Sequence, residues 1–257
     1  MPRPLRWTLT GLEVSTLSSI RALTETDFDV AFQPIVDLAT GRTFAHEALT
    51  RCKLPHFASP STLFAKAEEE EACGRLGRVI RNVVFQHCER QAVFINLHPQ
   101  EIGQRWLVQP TDPLFLHEGP LYLEVTESAA FQYFDLCMSV LGEVKARCGA
   151  HIVVDDFGAG HSDLRRVLAL KPDIVKLDMS LVRDIDQSPD KRSYAEHVIH
   201  TCRSLGARVV AEGLESLAEL QTVIALGADY GQGYLLGRPA APPLGKAHWP
   251  LKPSSTA

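Results

Sequence analysis

Six short apolar runs along the chain each end in a carboxylate, an amide or a lysine. They are Phe44-Ala45-His46-Glu47, Val93-Phe94-Ile95-Asn96, Leu121-Tyr122-Leu123-Glu124, Ile152-Val153-Val154-Asp155-Asp156, Asp173-Ile174-Val175-Lys176 and Arg208-Val209-Val210-Ala211-Glu212. Runs of this length read as buried strands, and an unpaired charge inside such a strand is costly. Polar groups repeated where strands stop therefore point to one shared site. In a barrel of parallel strands those C-terminal ends converge on one face, which carries the chemistry.

The pattern between the runs supplies the rest of the topology. A first strand is expected over 30–38 and a second over 43–51, joined by the turn Thr40-Gly41-Arg42. Two strands joined this closely form a hairpin, so they run antiparallel. Strands and helices then alternate. Helices are expected from Pro60, over 76–90, from Pro99, and over 132–148, 162–170, 190–205 and 216–226. Strands are expected over 93–97, 121–126, 150–156, from 173, over 207–211 and over 230–235. Alternation of this kind builds a parallel sheet with helical crossovers. Eight strands favour closure, which gives an α/β fold: a (β/α)8 barrel whose first strand is antiparallel.

The 257 residues match the roughly 250 that such a barrel needs. Hydrophobic residues make up 45% and charged residues 22%, a composition that fits a globular domain with a sizeable core. The net charge is −5 and no Lys/Arg run marks a nucleic-acid track, which argues against duplex DNA or long RNA as a partner. A small anion stays compatible with an acidic pocket once metal ions reverse its sign. Cys52, Cys73, Cys88, Cys137, Cys148 and Cys202 form no Cys-x-x-Cys pair and read as reduced thiols of a cytoplasmic protein. No apolar stretch approaches the roughly 20 residues of a membrane span, and no signal peptide is evident near the N-terminus.

Three regions are expected: an N-terminal extension over 1–27, the barrel over 28–240 and a C-terminal tail over 241–257. The segment 17–23 is amphipathic and suited to packing on the barrel or on another chain. The Pro-rich tail is expected to fray.

Asp155-Asp156-Phe157-Gly158-Ala159-Gly160 is the most specific local signal. Two carboxylates end a strand and a glycine-rich loop follows. A bend at the strand end brings both to neighbouring cations; the alternative is a helix-capping pair. Glu47, Asn96, Glu124 and Glu212 add only hard oxygen donors, which suit Mg²⁺ or Mn²⁺ rather than zinc. Each alone reads as a surface or capping residue, and only their common position at strand ends favours a metal.

Lys176 and Asp178 share a strand face. Lys176 is suited to hold a hydroxide or phosphate oxygen as a point charge, or to form a structural ion pair with a neighbouring carboxylate. Arg51 fits a phosphate grip or a rim salt bridge. Glu127 fits a loop anchor or a first-turn helix glutamate. Gln232, between Gly231 and Gly233, allows close backbone approach. The absence of a P-loop and of a Gly-x-Ser-x-Gly elbow argues against a P-loop NTPase or an α/β-hydrolase.

Taken in order, these motifs resemble the EAL-domain cyclic di-GMP phosphodiesterases of bacterial signalling. The resemblance runs over about 28–240. It rests on Gln33-Pro34-Ile35-Val36-Asp37, Glu47-Ala48-Leu49-Thr50-Arg51, Asn96-Leu97, Glu124-Val125-Thr126-Glu127, Asp155 to Gly160, Val175-Lys176-Leu177-Asp178, Ala211-Glu212-Gly213-Leu214-Glu215 and Gln232-Gly233-Tyr234-Leu235. It implies a modified TIM barrel and two divalent cations, Mg²⁺ or Mn²⁺. Glu47, Asn96, Glu124 and Asp155 would bind one cation; Asp155, Asp156 and Glu212 would bind the other. Lys176 would orient the attacking hydroxide, Gln232 would support the water network and Glu127 would hold the loop after Asp156. Gln33, Leu49, Arg51 and Asp178 would contact cyclic di-GMP, and the product would be linear pGpG. A homodimer is implied, and with no sensory domain attached a regulatory protein partner is a further candidate.

Ala159 and His161 replace residues common in the family's loop, Cys52 stands where Trp is frequent, and the segment between Glu47 and Asn96 is shorter than in many relatives. The altered loop keeps open a weakly active or inactive cyclic di-GMP receptor or protein-interaction module on the same barrel. Without the resemblance, an enolase-like barrel using Lys176 as a base is the remaining alternative, although about 27 residues before the first strand are too few for a capping domain of ordinary size.

Overall fold

The computed structural model describes residues 19–251 apart from 89, 105, 160–163 and 244. Eight strands close a barrel in chain order. They are β1 (Phe28–Asp37), β2 (Thr43–Cys52), β3 (Val93–Asn96), β4 (Leu121–Thr126), β5 (His151–Phe157), β6 (Ile174–Leu177), β7 (Arg208–Ala211) and β8 (Tyr230–Gly231). Strand β1 is antiparallel to both of its neighbours, pairing Gln33 with Glu47 on β2 and Val36 with Gly231 on β8. All other neighbours pair in parallel.

The hairpin is dictated locally. Asp37 Oδ1 accepts from the Thr40 N–H at 2.8 Å, and Gly41 takes the left-handed conformation with φ 69°. That turn leaves too few residues for a crossover, so β2 must return antiparallel.

The outer helices are α1 (Pro60–Glu69), α2 (Cys73–Cys88), α3 (Pro99–Gly103), α4 (Glu127–Gln132), α5 (Phe134–Cys148), α6 (Leu164–Ala169), α7 (Met179–Val182), α8 (Pro189–Ser204) and α9 (Leu217–Leu226). Helix α2 buries Cys73, Leu76, Gly77, Ile80, Arg81, Val84 and Cys88, the one-sided repeat of a helix lying on a sheet. Helix α9 starts at a Ser216–Glu219 capping box and stops at Gly227, φ 90°.

Side chains alternate across each strand. The outward set, with Ile95, Leu123, Val154, Val175 and Val209, packs under the helices. The inward set closes the barrel's floor as Ile35, Ala45, Phe94, Tyr122, Val153, Ile174, Val210 and Tyr230. Aromatic rings dominate that floor: Phe94 stacks on Tyr122 at 4.4 Å and Phe44 on Tyr230 at 4.1 Å.

Several elements depart from the expectation. The helix expected over 132–148 runs from Phe134 to Cys148, and a separate short helix, Glu127–Gln132, precedes it, the two broken at Tyr133, whose φ of −121° leaves the helical region. The last strand ends at Gly231, because the chain then turns to pack Gly233 against the Leu214 backbone. The described residues of 240–251 do not fray: Ala240 exchanges backbone hydrogen bonds with Phe32 at 2.8 and 3.0 Å. Trp249 lies on Gly41, in the space a Cβ there would occupy. The reason is apolar content, since Ala247, Trp249 and Leu251 all bury surface against the core.

Residues 19–27 are tied to α2. Arg75 donates to the Leu23 carbonyl at 2.9 Å, Asn82 donates to Glu25 at 2.8 Å, and Ile20 is buried. The first 18 residues of the extension and the tail from 252 lie outside the described residues.

Candidate active site

Two residues beyond each floor position stands a polar one. Ala45 leads to Glu47, Phe94 to Asn96, Tyr122 to Glu124, Val153 to Asp155, Ile174 to Lys176, Val210 to Glu212 and Tyr230 to Gln232. On antiparallel β1 the order reverses, and Gln33 precedes Ile35. A period of two keeps each pair on the same face. The apolar residue plugs the bottom of the barrel and its polar partner stands above it, so eight strands aim their polar ends into one space.

Lys176 occupies the centre with 1% of its side chain exposed. Its Nζ lies 2.6 Å from Glu124 Oε1, 2.7 Å from Glu212 Oε1, 3.2 Å from Asp155 Oδ1 and 3.4 Å from Glu47 Oε2. Burial opposes its charge, but the surrounding carboxylates outweigh burial and hold the ammonium well above its usual range. Glu47 is fixed from two other sides. Asn96 Nδ2 donates to its Oε1 at 2.9 Å, and Gln232 Nε2 donates to its Oε2 at 2.7 Å. Gln232 also donates to Gln33 Oε1 at 3.2 Å. Burial would raise the Glu47 carboxyl, yet Lys176 and these amides bring it below the ordinary carboxylate range.

The other carboxylates shift the opposite way. Glu124 is held well above its usual range by burial and by the charge of Glu47. Glu212 is pushed up to about 8, chiefly by burial, with Asp155 and Glu47 adding to it. Asp156 rises through burial and its neighbours Asp155 and Asp178. Five carboxylates face one buried cation, so the protein's own charges leave the cluster short of positive charge.

That shortage, with the donor chemistry, fits hard divalent cations. Carboxylate oxygens of Asp155, Asp156 and Glu212 lie within 4.8 Å of one another. Asp156 reaches the group because its backbone takes φ 58°, a left-handed bend that aspartate tolerates. Buried Glu124 Oε2 and Gln232 Oε1 have no hydrogen-bond partner among the described residues, as expected of oxygens reserved for a ligand.

The remaining expected residues surround this centre. A cavity of about 370 Å³ opens on one side, lined by Leu49, Arg51, Phe64 and Ile80 as well as Glu47 and Asp156. The Arg51 guanidinium donates to the Thr50 carbonyl at 2.9 Å. A second cavity of about 280 Å³ lies on the other side and holds Gln33, Asp178, Glu212 and Gln232. Asp178 caps α7, accepting from the Ser180 N–H at 2.8 Å. Glu127 is buried at the start of α4. The loop it was expected to hold lies in part, at Gly160 and His161, outside the described residues.

Sequence reasoning missed two groups around the site. Met179 and Tyr234 line the second cavity; Tyr234 belongs to the Gln232 motif, and an aromatic residue after a close-approach glycine was the available signal. The second group is the buried triad Arg81, Glu101 and Asp112, of which Arg81 and Glu101 line the far wall of the first cavity. Arg81 donates to Glu101 at 2.6 Å and to Asp112 at 2.7 and 3.0 Å. Its partners come from distant segments, so only the fold joins them.

Fold and site together define a barrel with an acidic, lysine-centred pocket at its strand ends, whose oxygen donors fit hard cations. Residues 19–239 match the model of the EAL domain, and the chain belongs to that family. It is 34% identical over 239 residues to the cyclic di-GMP phosphodiesterase PA2567 of Pseudomonas aeruginosa, covering 85% of this chain and 39% of the relative. It is 30% identical to the cyclic di-GMP phosphodiesterase PdeR of Escherichia coli, covering 85% of this chain and 35% of that one. The chain thus spans well under half the length of these two relatives. Among solved structures, a manganese and cyclic di-GMP complex of Klebsiella pneumoniae BlrP1 superposes with a TM-score of 0.75 at 31% identity, over 87% of this chain and 58% of that one. A calcium and cyclic di-GMP complex of BlrP1 matches with the same TM-score of 0.75.

Proposed function

We propose that the protein hydrolyses cyclic di-GMP to linear pGpG with the help of two divalent cations, Mg²⁺ or Mn²⁺. The observation that carries this reading is the cluster itself: five carboxylates and an asparagine from five strand ends, gathered around one buried lysine. The names of the relatives and the ligands in the BlrP1 complexes support the same substrate.

Glu47, Asn96, Glu124 and Asp155 would hold one cation, and Asp155, Asp156 and Glu212 the other. Bound there, two hard cations supply Lewis-acid activation of water and charge neutralisation at the phosphodiester. The chain's own residues set the geometry. Gln232 and Asn96 orient Glu47 from opposite sides. Lys176 keeps a fixed positive charge at the floor of the pocket, where it holds the attacking oxygen or a phosphate oxygen. Water oxygen joins phosphorus, the bond to the 3′ oxygen breaks, and that oxygen leaves with a proton. No protein nucleophile takes part.

Two cavities that meet at Glu47 and Asp156 suit a ligand with a base on either side of a phosphate ring. Leu49 and Arg51 line one of them, Gln33 and Asp178 the other, as contacts for cyclic di-GMP. Glu127 would hold the loop after Asp156. A homodimer in the cytoplasm, with a regulatory protein partner, completes the reading. No helix among the described residues is long and apolar enough to cross a membrane.

The test is incubation of the purified protein with cyclic di-GMP and Mg²⁺ or Mn²⁺, with chromatography of the products. Linear pGpG that forms with metal, and not with chelator, is the expected result. Binding of the dinucleotide without any product would overturn the enzymatic reading.

A further inference from the structure

We propose that Tyr234, with Arg238 against its ring, is the stacking platform for one purine of the cyclic dinucleotide. This assignment rests on the substrate proposed above and adds a residue that determines how tightly it is held.

Tyr234 sits on the rim of the smaller cavity, where Gln33, Asp156, Glu212 and Gln232 form the polar side and Met179 and Tyr234 the apolar side. Both apolar residues are 51% exposed. A large apolar surface left open beside a group of carboxylates has no packing role to explain it, whereas a flat, apolar base face would cover it. The Arg238 guanidinium lies 4.2 Å from the centre of the Tyr234 ring and engages it by cation–π attraction. The ring is thereby held in place before any ligand arrives.

The support under the ring is stiff. Gly233 packs so closely on Leu214 that a Cβ would stand 2.2 Å from the Leu214 backbone N and O. The Leu214 N–H donates to the Gln232 carbonyl at 3.0 Å, and the Leu235 N–H donates to the Leu214 carbonyl at 3.0 Å. A Cβ at Gly213 would lie 2.5 Å from Met179 Cβ. The segments leaving β6, β7 and β8 thus form one locked shelf. Tyr234 stands on it two residues from Gln232, the amide that touches Glu47. A phosphate held at the carboxylates places the attached nucleoside over this shelf. Stacking on an aromatic ring is how proteins hold an unpaired base.

Steady-state kinetics of the full chain with Mn²⁺ tests the assignment, using cyclic di-GMP and a base-free diester, the same cyclic bis(3′–5′) sugar-phosphate ring with each guanine replaced by hydrogen. Tyr234→Ala is expected to raise KM for cyclic di-GMP roughly five- to tenfold more than for the base-free diester. The effect on kcat should be smaller than that on KM, and Tyr234→Phe should restore most of the loss. Equal changes in KM for both substrates, or none for cyclic di-GMP, would overturn the platform. If the wild type binds cyclic di-GMP without hydrolysing it, the enzymatic reading fails and calorimetry decides this one. A weaker Kd for Tyr234→Ala, recovered in Tyr234→Phe, then supports the platform, and an unchanged Kd overturns it. Failure of the wild type to bind at all overturns both.

Discussion

Gln232 Nε2 donates to Glu47 Oε2 at 2.7 Å and to Gln33 Oε1 at 3.2 Å, so one amide from the end of β8 reaches over β1 to β2. It orients a carboxylate that would itself hold a cation. Replacing a partner of this kind typically lowers metal affinity roughly 10- to 100-fold. Gln232→Ala is expected to raise the Mn²⁺ concentration needed for half-maximal turnover by that factor, with the thermal midpoint in chelator close to wild type. A metal titration superimposable on wild type would contradict the role.

Lys176 balances four carboxylates within 3.4 Å. Lys176→Met leaves them buried without their cation, a change that costs about 3–5 kcal/mol when a buried pair is broken. The loss should be largest in chelator and should shrink as Mn²⁺ is added, because a ligand bound only by the folded state stabilises it. Chemical denaturation with and without Mn²⁺ measures both effects. Equal destabilisation under the two conditions would mean that no cation enters the cluster.

Gly77 lies in the interior of α2, where alanine normally adds about 1 kcal/mol of helix stability. Here a Cβ would stand 2.1 Å from Glu101 Oε2, the oxygen that accepts from Arg81. Overpacking costs about 1–3 kcal/mol, and displacing Glu101 adds the cost of an unpaired buried charge. Gly77→Ala should therefore destabilise the protein despite the better helix former. A raised melting temperature would show that the triad yields freely.

Asp173 accepts from Lys145 at 2.7 Å and from the Ile152 N–H at 2.8 Å. Burial opposes its ionisation, but these donors and His151 outweigh burial and hold the carboxyl below its usual range. A depressed folded pKa gives stability that is present above the unfolded value near 4 and is lost as pH falls through the folded value. Asp173→Asn should cost about 1 kcal/mol at pH 7, since the pair is partly exposed, and the gap to wild type should close as the pH drops below about 4. A gap that stays constant in denaturation curves from pH 7 to pH 3 would assign the loss to packing instead.

The strands, the antiparallel opening and the polar residues at strand ends were legible because they obey one local rule. An inward floor residue is followed two positions later by an inward polar one, as in Phe94 and Asn96 or Ile174 and Lys176. Three features were not legible, each for a tertiary reason. The break at Tyr133 carries no proline or glycine to mark it. The tail from 240 is polar and proline-rich, yet Trp249 finds the hollow over Gly41 only once the hairpin exists. Arg81 lies on the apolar face of α2, and its partners Glu101 and Asp112 are 20 and 31 residues away. Nothing local predicts that pairing.

Between its first and last strands the barrel is joined by two residue pairs, Val36 with Gly231 and Asp37 with Tyr230. No weld in the cylinder is narrower, the one between β7 and β8 being also two pairs, and the residue immediately past both is Gln232. Slack in that weld is felt by Glu47 through a single hydrogen bond. Residues 240–251 clasp the same first strand from outside, through Phe32 and the hairpin turn. That clasp closes one residue from Gln33, so the chain that wraps the outer face of the barrel is fastened directly behind the wall of its pocket.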